Sequence, residues 1–299
     1  LYLFLSIVSY VFRCNALETG LRLLEKQLNV RGIQSYRFKT DQLDLRYWKG
    51  GNGPVIVFLH GFGVDALLTW RHEMLHFSKT HTVIAPDLLW FGESTSNLKP
   101  DLSSQRLAIE TLLRYLEIDS LVLVGQSYGG FVALDLAASR KFKVEKMVIA
   151  NCPGTTFNTS TLENVCDSFG VASIQELFVF EKPEPLQRLM NLSTFKDVQI
   201  PATVLNQLHA LYFSAHHEQW RNLLRSLPEE QKRYPDTAVF LGIHLLVVWG
   251  EHDELFPLSE GVKFASDTGA EFRVLKGCGH MSQMDNPKAF CKSLISFIF

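Results

Sequence analysis

One serine of this chain sits among glycines at the boundary between two apolar runs. GQSYGG (125–130) follows SLVLV (120–124) and precedes FVALDLAA (131–138). Glycine is unfavourable inside regular structure and is placed where backbone bends sharply or passes close to other backbone. The spacing Gly125-x-Ser127-x-Gly129 between a strand and a helix is the context in which a tight turn lifts a nucleophilic hydroxyl above a sheet.

A serine hydroxyl needs a base to take its proton and a carboxylate to orient that base. The sequence offers Asp253 in VVWGEHDELFP (247–257), just beyond one apolar run, and His280 in VLKGCGHMSQMDNP (274–287), just beyond the next. Asp253 is preferred as the acid, although Glu251 and Glu254 flank it. His252 is adjacent to the acid but precedes the final strand, a poor place for the base. The charged intermediate of acyl transfer also needs hydrogen-bond donors. The glycine-rich HGFG (60–63) supplies the Phe62 amide and the residue after the serine supplies the Tyr128 amide, so these two backbone groups are the expected oxyanion donors. His60 is read as an organiser of its loop. His216 and His217 lack a matching set of carboxylates or cysteines, so no metal is expected, and no cofactor.

These residues require elements that bring them together. Leucines at 17, 21, 24 and 28 recur at helical spacing, and 33–38 and 43–48 read as two short strands around a turn at 39–42. Apolar runs at 55–59, 82–86, 121–125, 146–150, 244–250 and 272–275 alternate with helical stretches near 65–79, 103–117, 131–139, 259–267 and 287–298. Strands alternating with helices predict a mostly parallel, eight-stranded sheet with helices on both faces. Serine, acid and histidine then stand at carboxyl ends of strands, on one edge of the sheet, which is where ligands bind in such folds. The rhythm breaks between Pro153 and about Phe240. SIQELFVF (173–180), PLQRLMNL (185–192) and TVLNQLHALYF (203–213) are helix-like and no strand is convincing, so 154–240 is expected to be an inserted helical cap. The core is then 33–153 with 241–299, preceded by an apolar and helical segment, 1–32.

Bulk composition is consistent with a well-packed α/β protein. The chain has 299 residues, 46% of them hydrophobic, and a net charge of −2 from 29 basic and 31 acidic side chains. That balance has no footprint for nucleic acid. Five scattered cysteines form neither a CxxC pair nor a zinc pattern. LYLFLSIVSYVF (1–12) is strongly apolar but shorter than a bilayer span of about 20 residues. It is a candidate for membrane contact, as the remnant of a signal or anchor, with an amphipathic helix packed on the body as the alternative. Localisation follows from that choice: membrane-associated or secretory in the first case, cytoplasmic in the second.

HGFG (60–63), PDLLWFGES (86–94), GQSYGG (125–130), WGEHD (249–253) and GCGHMSQMDNP (277–287), in this order, make the chain resemble the α/β-hydrolase superfamily over about 33–298. TWRHEM (69–74), SYGGFVAL (127–134) and VVWGEHDELFPL (247–258) carry a closer similarity to monoacylglycerol-lipase-type and related plant hydrolases with a helical cap. The resemblance implies Ser127 as nucleophile, His280 as base and acid, Asp253 as orienting acid, and Phe62 and Tyr128 as oxyanion donors. In relatives the 86–94 loop often reads D-x-P-G-x-G-x-S, whereas Leu89-Trp90 stand here in place of Pro-Gly. Trp90 is therefore expected in the substrate pocket, together with Phe213 and Met281. Haloalkane dehalogenases and epoxide hydrolases of this fold attack with a carboxylate; a serine acylates instead. The implied activity is hydrolysis of a lipid-like or other apolar ester. The lid aromatics Phe157, Phe169, Phe178, Phe180, Tyr212, Phe213 and Trp220 are compatible with such a pocket. Hydrolysis of a carbon–carbon bond in a diketone-like substrate, or ligand sensing by a hydrolase-fold receptor, are the alternatives.

Overall fold

The computed structural model describes residues 15–231, 240 and 242–299. The apolar segment 1–12 and part of the expected cap lie outside the described residues. β1 (Gln34–Lys39), β2 (Leu43–Gly50), β3 (Val55–Leu59), β4 (Thr82–Pro86), β6 (Ser120–Gln126), β7 (Lys143–Ala150), β8 (His244–Gly250) and β9 (Glu271–Leu275) form one sheet in the order β1-β2-β4-β3-β6-β7-β8-β9. A two-residue strand, β5 (Thr95–Ser96), pairs with β2 at the side. β1, β2 and β4 pair antiparallel and all pairings from β4 through β3 to β9 are parallel.

Continuous apolar runs suit β3, β4, β6 and β8 because both faces of these central strands are covered. Side chains alternate between two cores. Leu121, Leu123, Val247 and Trp249 enter the one that includes α3 (Leu102–Tyr115), α4 (Tyr128–Ala138) and α10 (Leu258–Thr268). Val122, Val124, Leu246 and Val248 enter the other, closed by α1 (Ala16–Val30), α2 (Ala66–Phe77) and α12 (Pro287–Ile298), the last preceded by the one-turn α11 (Ser282–Asp285). Side-chain caps start several helices where the sequence supplies them: the carboxylates of Asp65 and Asp101 accept the Leu68 and Ser104 amides at 2.9 Å each.

One boundary differs instructively from expectation. α4 begins at Tyr128, three residues earlier than the apolar run alone indicates, and so takes Gly129 and Gly130 into its first turn. Close packing explains these helical glycines. A Cβ on Gly129 would lie 2.2 Å from the Leu59 carbonyl oxygen, and one on Gly130 would lie 2.7 Å from Cys152 Cβ.

Between β7 and β8 run α5 (Thr159–Phe169), α6 (Ile174–Phe178), α7 (Glu184–Ser193), α8 (Ala202–Leu208) and α9 (His217–Gln231). α8 continues into a π-helical turn, His209–Phe213. α6 falls within, and α7 and α8 overlap, the helix-like stretches read from the sequence, while α5 and α9 have no counterpart among them. The inserted helices touch the carboxyl edge of the sheet at several points, among them the Tyr212 hydroxyl, which donates to Asp65 at 3.0 Å, and the Ser193 carbonyl, which accepts the Met281 amide at 2.7 Å. The strand order reverses direction between β3 and β6, so the loops after these strands flank a crevice.

Candidate active site

Ser127 leaves β6 with φ 50° and ψ −120°, a region that a residue with a Cβ rarely adopts. The turn is held by its neighbours: the Ser127 amide donates to the Ala150 carbonyl at 2.9 Å, and the Gly130 amide donates to the Ser127 carbonyl at 2.8 Å. Gly125 is required because a Cβ there would lie 2.4 Å from the Gly129 carbonyl oxygen. The result is a serine hydroxyl raised at the sheet edge.

The structure brings Ser127, Asp253 and His280 together from three loops. His280 Nε2 is 2.8 Å from Ser127 Oγ, and Nδ1 is 3.0 and 3.1 Å from the two Asp253 carboxylate oxygens. An ionised carboxylate only accepts, so the ring proton sits on Nδ1, and bare Nε2 can accept the serine proton. Asp253 is fully engaged: Oδ1 accepts the Leu255 and Phe256 amides at 3.0 and 2.9 Å, and Oδ2 accepts Asn151 Nδ2 at 2.9 Å. His280 and Asp253 are 5% and 8% exposed, so their interaction is poorly screened by water. Glu251 and Glu254 are exposed, and Glu251 accepts the Gly277 amide at 3.2 Å instead of meeting the histidine.

Asn151 and Gln126 escaped the sequence reading. Gln126 Nε2 donates to the His280 carbonyl at 3.2 Å, and its Oε1 would lie 2.3 Å from a Cβ on Gly61, so it wedges the histidine loop against the HGFG loop. Asn151 had one available signal: it is the polar residue immediately past the carboxyl end of β7, the strand between the serine and acid strands.

His60 organises its loop, and its protonation follows from its partners. The Leu88 amide donates to Nε2 at 2.9 Å, so the proton is on Nδ1, which donates to the Gly61 carbonyl at 2.7 Å. Burial pushes the imidazole down to about 4, keeping it neutral. Asp87 braces the same loops, accepting the Ala66 and Glu93 amides at 3.0 and 3.2 Å, and burial raises its carboxyl to about 6. Between Gly61 and Gly63, the Phe62 ring meets Phe91, Tyr128, Phe178 and Trp220 edge-on, at centroid distances of 4.8, 5.6, 5.3 and 5.0 Å.

Two cavities flank Ser127, of about 40 Å³ and about 90 Å³, sharing Phe62, Phe178 and Leu255 as walls. Phe131, Phe157, Leu162 and Ile174 line the first, while Met190, Phe213, His280 and Met281 line the second. Among the described residues, no Lys, Arg, Asp or Glu lines either. Phe213 and Met281 thus lie at the second cavity. Trp90 does not line either one, which corrects its placement in the pocket. With φ 66° its chain turns away, the side chain is 1% exposed in the core, and its indole N–H donates to the Ser96 carbonyl at 3.3 Å. Of the seven lid aromatics, Phe157, Phe178 and Phe213 line these cavities, and Phe169, Phe180, Tyr212 and Trp220 do not. Among the described residues, no helix is long and apolar enough to cross a membrane.

Comparison with known proteins agrees with this architecture. The model of the alpha/beta hydrolase family matches residues 56–293. 2-hydroxymuconate semialdehyde hydrolase of Pseudomonas sp. (strain CF600) is 27% identical over 261 residues, covering 83% of this chain and 88% of the relative. Epoxide hydrolase 3 of Mus musculus is 24% identical over 288 residues, covering 87% of this chain and 75% of the relative. A structure described as that of a lipase from Acinetobacter baumannii AYE has a TM-score of 0.79 at 19% identity, over 93% of this chain and 94% of that one, a likeness of fold. With the family model spanning the sheet from β3 to α12, the chain belongs to the alpha/beta hydrolase family.

Proposed function

We propose that this hydrolase cleaves an uncharged, apolar carboxylic ester through an acyl-enzyme on Ser127. His280 Nε2 takes the Ser127 proton as Oγ attacks the ester carbonyl, and Asp253 holds and stabilises the resulting imidazolium. The Phe62 and Tyr128 amides receive the oxyanion. His280 then protonates the leaving alkoxide, and water, activated by the same histidine, releases the acid. Because His280 lines the larger cavity, the alcohol portion occupies that side and the acyl portion the smaller one, against Phe131 and Phe157.

The observation that carries this reading is the pairing of a serine–histidine–carboxylate relay with two apolar cavities that, among the described residues, have no charged side chain in their lining other than the reacting histidine. An ionised substrate would have to surrender its hydration there without a counterion, at a cost of several kcal/mol. Carbon–carbon bond hydrolysis is the second reading, favoured by the similarity to a hydrolase of 2-hydroxymuconate semialdehyde. That substrate is a carboxylate, for which the described residues of these walls offer no cation.

A fluorophosphonate probe, with the modified residue located by mass spectrometry, tests the nucleophile, and Ser127→Ala is the control. p-Nitrophenyl esters of rising chain length are assayed beside 2-hydroxymuconate semialdehyde. The expected result is labelling at Ser127 and ester turnover that is lost in the variant. Faster turnover of the semialdehyde would select the carbon–carbon reading, and folded protein that takes no label would select a ligand-binding role.

A further inference from the structure

We propose that Trp220, on an inserted helix, is a positioning residue for the oxyanion site: seated by its indole N–H on the Trp90 carbonyl, it buttresses the Phe62 ring and so fixes the Phe62 amide. The inference rests on the ester-hydrolase reading above, since it concerns the donor that reading assigns.

Phe62 stands between two glycines, and Gly63 has φ 98°, so the local backbone supplies little restraint of its own. The Gly61 carbonyl, in the same peptide unit as the Phe62 amide, accepts His60 Nδ1 at 2.7 Å, and the Phe62 ring supplies the further restraint. Two of the four rings packed on Phe62, Phe91 and Tyr128, belong to the core; the other two, Phe178 and Trp220, come from the inserted helices. Trp220 is the better anchored of that second pair. It is 1% exposed, its Nε1–H donates to the Trp90 carbonyl at 2.8 Å, and its ring stacks on Phe91 at 5.1 Å with an interplanar angle of 24°. It therefore grips two loops at once, the one after β3 through Phe62 and the one after β4 through Trp90 and Phe91.

Trp220 lines neither cavity, whereas Phe62 lines both. An effect of Trp220 on the reaction must therefore pass through another residue: Phe213, edge-on at 5.6 Å, lines only the second cavity, whereas Phe62 lines both and carries the amide assigned to the oxyanion. The Trp90 carbonyl is presented by the turn with φ 66° at the position where Leu89-Trp90 replace the Pro-Gly common in relatives. The seat is a main-chain carbonyl, while the Trp90 side chain lines neither cavity.

The test uses p-nitrophenyl acetate, whose acyl group is too short to fill the smaller cavity, and 1,1,1-trifluoroacetone, which is too small to depend on either cavity, forms a tetrahedral adduct with the serine and places its oxyanion on the same donors. Trp220→Leu removes both the ring and the N–H, and Trp220→Phe keeps a ring but loses the bond that seats it. Loss of one oxyanion donor costs about 100–1000-fold and displacement by an ångström about 100-fold. For the leucine variant the expected loss is about 10–100-fold, in kcat and not KM, with a parallel weakening of trifluoroacetone. The phenylalanine variant is expected between it and the parent, about 3–10-fold down. A cap side chain with only a packing role would instead raise KM for long-chain esters and leave both short probes unchanged; that result overturns the proposal. Should the leucine variant not fold, a phenylalanine variant equal to the parent with both probes also overturns it. Failure of the ester reading itself is distinguishable, because the parent enzyme would then neither turn over the acetate ester nor take the fluorophosphonate label.

Discussion

Asn151 Nδ2 lies 2.9 Å from Oδ2 of Asp253, the same carboxylate oxygen that stands 3.0 Å from His280 Nδ1. Asn151 is itself held, since Ser282 Oγ donates to its Oδ1 at 2.7 Å and its backbone sits at φ 49°. The amide therefore fixes the direction from which Asp253 meets the imidazole. A hydrogen bond to a charged group contributes about 1.5–3 kcal/mol, and about 1.4 kcal/mol is a factor of ten in rate. Asn151→Ala is expected to lower kcat about 10-fold or more with KM little changed, and Ser282→Ala to do so less. Steady-state kinetics on a short ester measure both; an alanine variant with the parent kcat would remove Asn151 from the relay.

The acid of the relay is testable against its neighbours. Asp253 is buried against His280, while Glu251 and Glu254 are exposed. Asp253→Asn keeps the shape but offers an N–H or a neutral oxygen to Nδ1, so the ring can take the wrong tautomer. By analogy with serine relays generally, a loss on the order of 10⁴-fold in kcat is expected. Glu254→Gln is expected within about 2-fold of the parent, as surface charges are worth little. Reversal of that order would reassign the acid.

The sheet and the relay were legible in the sequence because each depends on local patterns. Strands covered on both faces are continuous apolar runs, and Ser127, Asp253 and His280 each follow one of them closely, so their meeting at one edge is a consequence of parallel topology. Asn151 and Gln126 were not legible because their roles are hydrogen bonds between loops far apart in sequence. Trp90 was misplaced for a related reason: its position after β4 is correct, but the direction of its side chain depends on a positive φ that the residue type does not announce. α5 did carry a signal, with Leu162, Val165 and Phe169 three and four residues apart, behind an Asn158 cap whose Oδ1 accepts the Thr161 amide at 3.1 Å. Its polar first turn, Thr159-Ser160-Thr161, obscured it.

The elbow strain predicts a stability difference at Ser127 itself. Any side chain with a Cβ at position 127 keeps the φ 50°, ψ −120° conformation under strain, which costs about 1–3 kcal/mol. Ser127→Ala and Ser127→Gly are both expected to be inactive, but glycine relieves the strain and alanine does not. After allowing for glycine's greater freedom in the unfolded chain, Ser127→Gly should be more stable than Ser127→Ala by about 1 kcal/mol. Urea unfolding of the two variants measures the difference. Equal stability would show that the elbow stores no strain.

Glu73 sets a pH dependence of stability remote from the relay. It lies on α2, fully buried, with Oε1 accepting the Cys291 thiol at 3.5 Å, and burial raises its carboxyl from 4.5 to about 8. Between those values the folded protein keeps a proton that the unfolded chain has released. Its contribution is therefore complete below about pH 4.5 and is lost as the pH rises toward 8. Glu73→Gln is neutral throughout, so its stability relative to the parent should climb across this interval, by at most about 1.4 kcal/mol per pH unit. Comparing the two proteins cancels the opposing contribution of His60, whose depressed value makes stability rise between about pH 4 and 6.5. Urea midpoints at pH 5, 6.5 and 8 should show a widening gap in favour of the glutamine variant; a gap that does not change with pH would mean that Glu73 is ionised in the folded protein.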